Sequence, residues 1–239
     1  AGQFVMGAVD GAPDEWPQSV INVVEPFWMA ETEVTNAQLR RFVAEHDSGF
    51  YARRLPRPDC MGSPRNGDQQ PAVRVSWEHA NAFCKWLSRE TGIAFTLPTE
   101  PQWEYACRAG ASGRWHFGSD PQKLDQFEWH AGNSDGGPQP VGRLKPNAWG
   151  LHDMHGNVPE WCWDRYDPGY YKKSPAVDPP GSPLGQQRVF RGGSASNRVT
   201  QTSAAERAAL GGSYGVGIQE IDLLLMRQRA PFQPPEGGQ

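Results

Sequence analysis

The sequence predicts an α+β domain of low regular secondary structure, with two main helices set among short strands and long loops. Three observations carry that expectation. Glycine and proline are abundant, 27 and 22 of 239 residues, which favours turns over long elements. Helical apolar spacing is sustained only around Ser76–Gly92 and Thr99–Gly110. All ten tryptophans lie between Trp16 and Trp163, the pattern of an irregular domain held by aromatic packing.

Gly2–Gly7 reads as a strand with Phe4 and Met6 on one face, and Val20–Val24 as a second strand ending at Pro26. Thr35 is a predicted N-cap, and Leu39, Phe42 and Val43 form the apolar stripe of the helix behind it. Ser48–Gln70, with Pro56, Pro58 and Pro64, reads as a long surface loop. Ser76 opens the clearest helix; Ala80, Phe83, Cys84 and Leu87 line one face, and Gly92 stops it. Ile93–Leu97 is short and extended. Thr99 caps the next helix, whose Glu100 and Glu104 are expected to favour its dipole. From Ala111 to Gly185 no long periodic segment occurs. Arg188–Arg191 reads as a strand, Ala204–Leu210 as a short helix and Ile221–Met226 as a final strand. One domain spans 1–230, and 231–239 (PFQPPEGGQ) reads as a disordered tail.

Composition excludes several functions. A net charge of −4 provides no basic footprint for nucleic acid. No run of 18 apolar residues occurs, so no membrane-spanning helix is expected. The opening AGQFVMG has no basic or apolar leader region, so cytoplasmic location and phage- or cell-surface display both stay open. Cys60, Cys84, Cys107 and Cys162 form no CxxC or zinc-finger spacing. RGGS at Arg191–Ser194 lacks the spacing and lysine of a phosphate loop.

Six segments in order, GQFVMG, ETEVTNAQLRRF, PAVRVSWEHANAFCKWLSRETG, FTLPTEPQWEYACRAG, PNAWGLHDMHGNVPEW and RVFRGGS, resemble the formylglycine-generating-enzyme (sulfatase-modifying-factor) family. The resemblance covers most of Gly2–Ser194 and implies a variant of the C-type lectin fold. It fades after Ser194. The family's oxygen-activating enzymes use two cysteines shortly after RGGS to hold copper, for which soft thiolates are suited. This chain has no cysteine between Ser194 and Gln239. The resemblance also implies a structural calcium ion, held by the side chains of Asp153 and Glu160 and the carbonyls of Gly156 and Val158. Hard carboxylate and carbonyl oxygens suit that cation.

Loss of the cysteine pair and a rewritten C-terminal face together imply binding. The expected function is a ligand-binding protein on this scaffold, with a face at 195–217 presenting Ser196, Asn197, Thr200, Gln201, Thr202, Glu206 and Tyr214 to a protein or other macromolecule. That segment lies where the variable protein of a diversity-generating retroelement would carry its diversified residues. One alternative is a divergent copper or iron oxidase with ligands among His130, His152, His155 and Asp153. Another is a structural domain of a larger assembly.

Overall fold

The structure, a computed structural model, describes residues 1–49, 65–199, 202–211 and 226–228. Three small antiparallel sheets surround two helices. β1 (Gly2–Met6) pairs with β2 (Ser19–Val23), Phe4 opposite Ile21. β3 (Phe27–Met29) and β4 (Phe95–Thr96) flank β8 (Met226–Gln228). β5 (Glu160–Arg165), β6 (Gln187–Arg191) and β7 (Arg207–Gly211) form the third sheet in that order. The α+β, lectin-like architecture with few helices stands as predicted. The proposed tail at 231–239 lies outside the described residues, as do Cys60 and the middle of the Ser48–Gln70 loop.

The short helix α1 (Asn36–Leu39) is a single turn, less than the stripe through Val43 implied. Its capping box is complete: Thr35 Oγ1 accepts from the Gln38 amide, and Gln38 Oε1 accepts from the Thr35 amide. Beyond it Arg40 reaches sideways to Asp68, at 2.8 Å, and to the Asn66 carbonyl, at 2.9 Å. Phe42 still packs on Phe83 and Trp86, so the apolar periodicity marked burial although the helix had ended.

α2 (Trp77–Thr91) follows the prediction. Ser76 caps it, and Gly92 closes it at φ +69°, a left-handed conformation that costs glycine nothing. Trp77, Ala80, Phe83 and Cys84 sink into a core with Leu97 and Trp161. α3 (Glu100–Arg108) carries a second full capping box, from Thr99 and Gln102. Every residue of α3 except Gln102 is buried, so this helix is the centre of the molecule.

The expected dipole role of Glu100 and Glu104 is superseded by ion pairing. Arg207 grips Glu100 with Nε and Nη2, at 2.7 and 2.8 Å. Arg191 on β6 reaches Glu100 at 3.3 Å and bonds Glu104 with its other terminal nitrogen. Arg108 Nε donates to Glu104 at 2.9 Å. Arg191 and Glu104 are wholly buried, so these charges can exist only as partners.

This network explains a second correction. Ala204–Leu210 is not a helix; its second half is β7, paired with β6 so that Arg207 lies opposite Arg191. Alanine's helix propensity is a weak prior. It is outweighed by the hydrogen-bonding edge of β6 and the buried carboxylate that takes Arg207. At the C-terminus, Met226 is the only residue of the predicted Ile221–Met226 strand that is described, and it opens β8. Strand β3 has no sequence counterpart.

Replacing Arg191 with Met leaves Glu104 and Glu100 short of a cation in the dry interior. The expected loss is about 3–5 kcal/mol of unfolding free energy, read from urea denaturation. A loss under about 1 kcal/mol would show that the network is not a main tie.

Candidate metal centres and binding face

The loop 153–157 runs into β5 and is tightly shaped. Asp153 and Asn157 take left-handed conformations, φ +57° and +59°, which short polar side chains tolerate. Gly156 passes so close to the Trp129 carbonyl that a Cβ would collide with it. Asn157 pins the loop, donating to Glu33 Oε1 at 3.0 Å and accepting from the Gln139 amide at 2.8 Å.

Two carboxylates of this segment are each half satisfied. Asp153 Oδ2 accepts from the Gly142 amide at 2.8 Å, while its buried Oδ1 has no hydrogen-bond partner among the described residues. Glu160 Oε2 accepts from Trp103 Nε1, and its buried Oε1 likewise has none. Burial pushes the Asp153 carboxyl up to about 6. Burial, with the Asp153 charge adding, pushes Glu160 up to about 8. Glu128 is also driven well above the ordinary range, by burial first and then by Asp153.

Buried carboxylate oxygens lacking donors are what a hard cation would use, so the residues fit calcium. Asp153 and Glu160 would hold it with the Gly156 and Val158 carbonyls. The ion would supply neutralising charge and a cross-link. Sequence reasoning missed Glu33 and Glu128, which reach this region from distant segments with no local motif.

The histidines separate. His130 Nε2 pairs with Asp125 at 2.6 Å, and His152 Nδ1 bonds the Leu144 carbonyl at 2.8 Å. Neither joins His155, so the ligand set expected for an oxidase does not assemble. His155 instead meets His116 and Glu128, whose potential ligand atoms lie within 4.8 Å of one another. Cys84, Cys107 and Cys162 are buried thiols, as expected. Burial raises Cys84 to about 12 and the other two well above the usual thiol range, so all three stay protonated.

The predicted binding face is only partly presented. Ser196 is exposed. Asn197 works within the fold: its Oδ1 accepts from Ser194 N at 2.7 Å and its carbonyl from Ala131 N at 3.0 Å. Thr202 is fully buried and accepts from Trp115 Nε1, so it cannot meet a ligand. Thr200, Gln201 and Tyr214 lie outside the described residues.

Glu206 is half-buried at a polar cleft of about 680 Å³, which Asp10, Glu15, Arg108, Arg114 and Ser203 also line. Burial pushes Glu206 up to about 7, and the Glu15 charge adds to the shift. Three carboxylates, Asp10, Glu15 and Glu206, and three arginines, Arg108, Arg114 and Arg207, therefore share this cleft.

The calcium reading has a consequence for pH. Asp153 and Glu160 bind protons more tightly when folded than when unfolded, where carboxyls titrate near their ordinary values. Between about pH 4 and 8 the unfolded chain therefore holds fewer protons, and rising pH disfavours folding. In chelator, the melting temperature should fall across that window. Excess calcium should flatten the profile and raise it most near pH 8. Identical profiles in both conditions would remove the calcium site.

The chain matches the sulfatase-modifying factor enzyme 1-like domain over residues 1–215. It is 31% identical to the formylglycine-generating enzyme of Streptomyces coelicolor, over 81% of this chain and 76% of that protein. Among solved structures it resembles PvdO from Pseudomonas aeruginosa, with TM-score 0.78, 27% identity and coverage of 95% of this chain and 92% of that one. It also resembles Treponema denticola variable protein 1, with TM-score 0.82, 25% identity and coverage of 96% and 93%. The motif order, the lectin-like fold and a match to all but the C-terminal residues agree: the chain belongs to the sulfatase-modifying-factor family of formylglycine-generating-enzyme-like domains.

Proposed function

We propose that this chain is a ligand-binding member of its family, on a calcium-stabilised scaffold. Its binding face comprises the cleft beside β7 and the solvent-facing positions of segment 195–217, of which Ser196 and Glu206 are described. The observation that carries the reading is the open polar cleft in which the carboxylates of Asp10, Glu15 and Glu206 stand beside Arg108, Arg114 and Arg207, with Glu15 and Glu206 largely desolvated. Buried carboxylates with raised proton affinity mark sites where a ligand group completes the electrostatics.

The relatives include a formylglycine-generating enzyme, but this chain lacks the cysteine pair after RGGS that the family's oxygen-activating enzymes use. Residues 194–239 contain no cysteine, and the three described thiols are sealed and protonated. The ligand would be a protein or other macromolecule that offers a cationic or hydrogen-bond-donating group to Glu206. Likeness to a variable protein supports the finer reading, in which 195–217 is the diversified segment of a retroelement system. Exposed Ser196 and half-buried Glu206 lie within it.

Two measurements test this. Incubated with copper, oxygen and a sulfatase-derived cysteine peptide, the protein should form no aldehyde by mass spectrometry; turnover would overturn the binding reading. Population sequencing should find substitutions concentrated in codons 195–217. Uniform variation along the chain would remove the retroelement assignment.

A further inference from the structure

We propose that His116, Glu128 and His155 form a second metal site, distinct from the calcium loop, that takes a first-row transition cation such as zinc or ferrous iron as a structural ion.

The three donors come from three loops. His116 sits in the tight turn Trp115–Gly118, closed by reciprocal backbone bonds of 2.9 and 3.0 Å. Glu128 follows the short 3-10 helix Pro121–Gln126, its amide bonded to the Leu124 carbonyl at 2.9 Å. His155 belongs to the 153–157 loop, where its amide donates to Glu128 Oε2 at 3.0 Å. That bond aims the other carboxylate oxygen, Oε1, at His116 Nε2, 3.3 Å away. Oε1 is buried and accepts no hydrogen bond.

The separations suit a metal. With metal–ligand distances of about 2.0–2.1 Å, two donors of a tetrahedral site stand about 3.3 Å apart. The His116–Glu128 pair already has that spacing. The two imidazoles stack nearly parallel, centroids 5.2 Å apart and planes 13° from each other. His155 Nε2 now accepts from the His116 amide at 3.2 Å, a bond the cation would replace.

Charge argues the same way. Glu128 is wholly buried, and its neighbours Asp153 and Glu160 are also acidic. His155 is fully buried beside Glu128, and neutral imidazole is the form that ligates metals. Two imidazoles with one carboxylate select zinc or ferrous iron over calcium, which prefers oxygen alone. Phe117 and Phe127, stacked at 4.6 Å, pack edge-on against His116. The side chains of His116 and Glu128 are only 4% and 1% exposed, which assigns the ion a structural rather than a substrate-handling role.

The test titrates chelator-treated protein with cobalt(II) and zinc(II), with calcium in excess so that the first site stays filled. One equivalent of cobalt should bind with visible d–d absorption, and zinc should displace it and raise the melting temperature. Glu128→Gln and His116→Phe should each weaken zinc affinity by about 100-fold or more. His116→Phe keeps the aromatic packing, so it remains informative if the buried glutamate variant fails to fold. Absence of stoichiometric binding, or full affinity in His116→Phe, would overturn the site.

Discussion

The fold depends on the burial of two carboxylates on one helix. Glu100 and Glu104 of α3 sit in the dry centre of the molecule, where an unpaired charge would cost several kcal/mol. Three arginines answer them from three places: Arg108 on the same helix, Arg191 on β6 and Arg207 on β7. The same side chains reach further. Arg191 donates to the Ala204 and Ala205 carbonyls at 2.8 Å each, fixing the crossing from β6 to β7. Arg108 and Glu104 hold both backbone groups of Gly7 at the end of β1. Asp164 of β5 accepts from the Glu100 amide. One helix thus sets the positions of the first sheet and the third, and of the cleft between them.

A second acidic centre follows the opposite logic. Around the 153–157 loop gather Asp153, Glu160, Glu128 and Glu33; the first three accept from the Gly142 amide, the Trp103 indole and the His155 amide, and Glu33 accepts from the Asn157 side chain. Where α3 uses guanidinium groups to neutralise buried carboxylates, this region has backbone amides, amide side chains and imidazoles. Those donors leave Asp153 Oδ1, Glu160 Oε1 and Glu128 Oε1 without hydrogen bonds. Divalent cations are the economical answer to that electrostatic gap. The two proposed ions differ because their surroundings differ, oxygens alone on one side of the loop and paired imidazoles on the other.

The proposed binding face borders the ion-pair network of α3. Glu206 precedes Arg207, so the residue beside the cleft is positioned by a buried ion pair, Arg207 with Glu100. A rigid core next to a short, loop-borne surface suits the binding role proposed for it.

Much of the fold was legible in the sequence. The caps at Thr35, Ser76 and Thr99, the stop at Gly92 and the strands at Gly2, Val20 and Arg188 rest on local hydrogen bonding and side-chain periodicity, which neighbours along the chain decide. Asp153 and Glu160 could be singled out from the sequence because they fall seven residues apart, one in the loop and one at the start of the strand that follows it. Partners distant in sequence were not. Whether Ala204–Leu210 coils or extends depends on the open edge of β6 and on Glu100, about a hundred residues earlier. Thr202 looks like a surface threonine until Trp115 claims it. His116 carries no motif, and it meets Glu128 and His155 only when three separate loops close on one another. Local stereochemistry therefore determined the elements. Burial of charge, which exists only after the chain has folded, decided how they join and where a ligand or metal can bind.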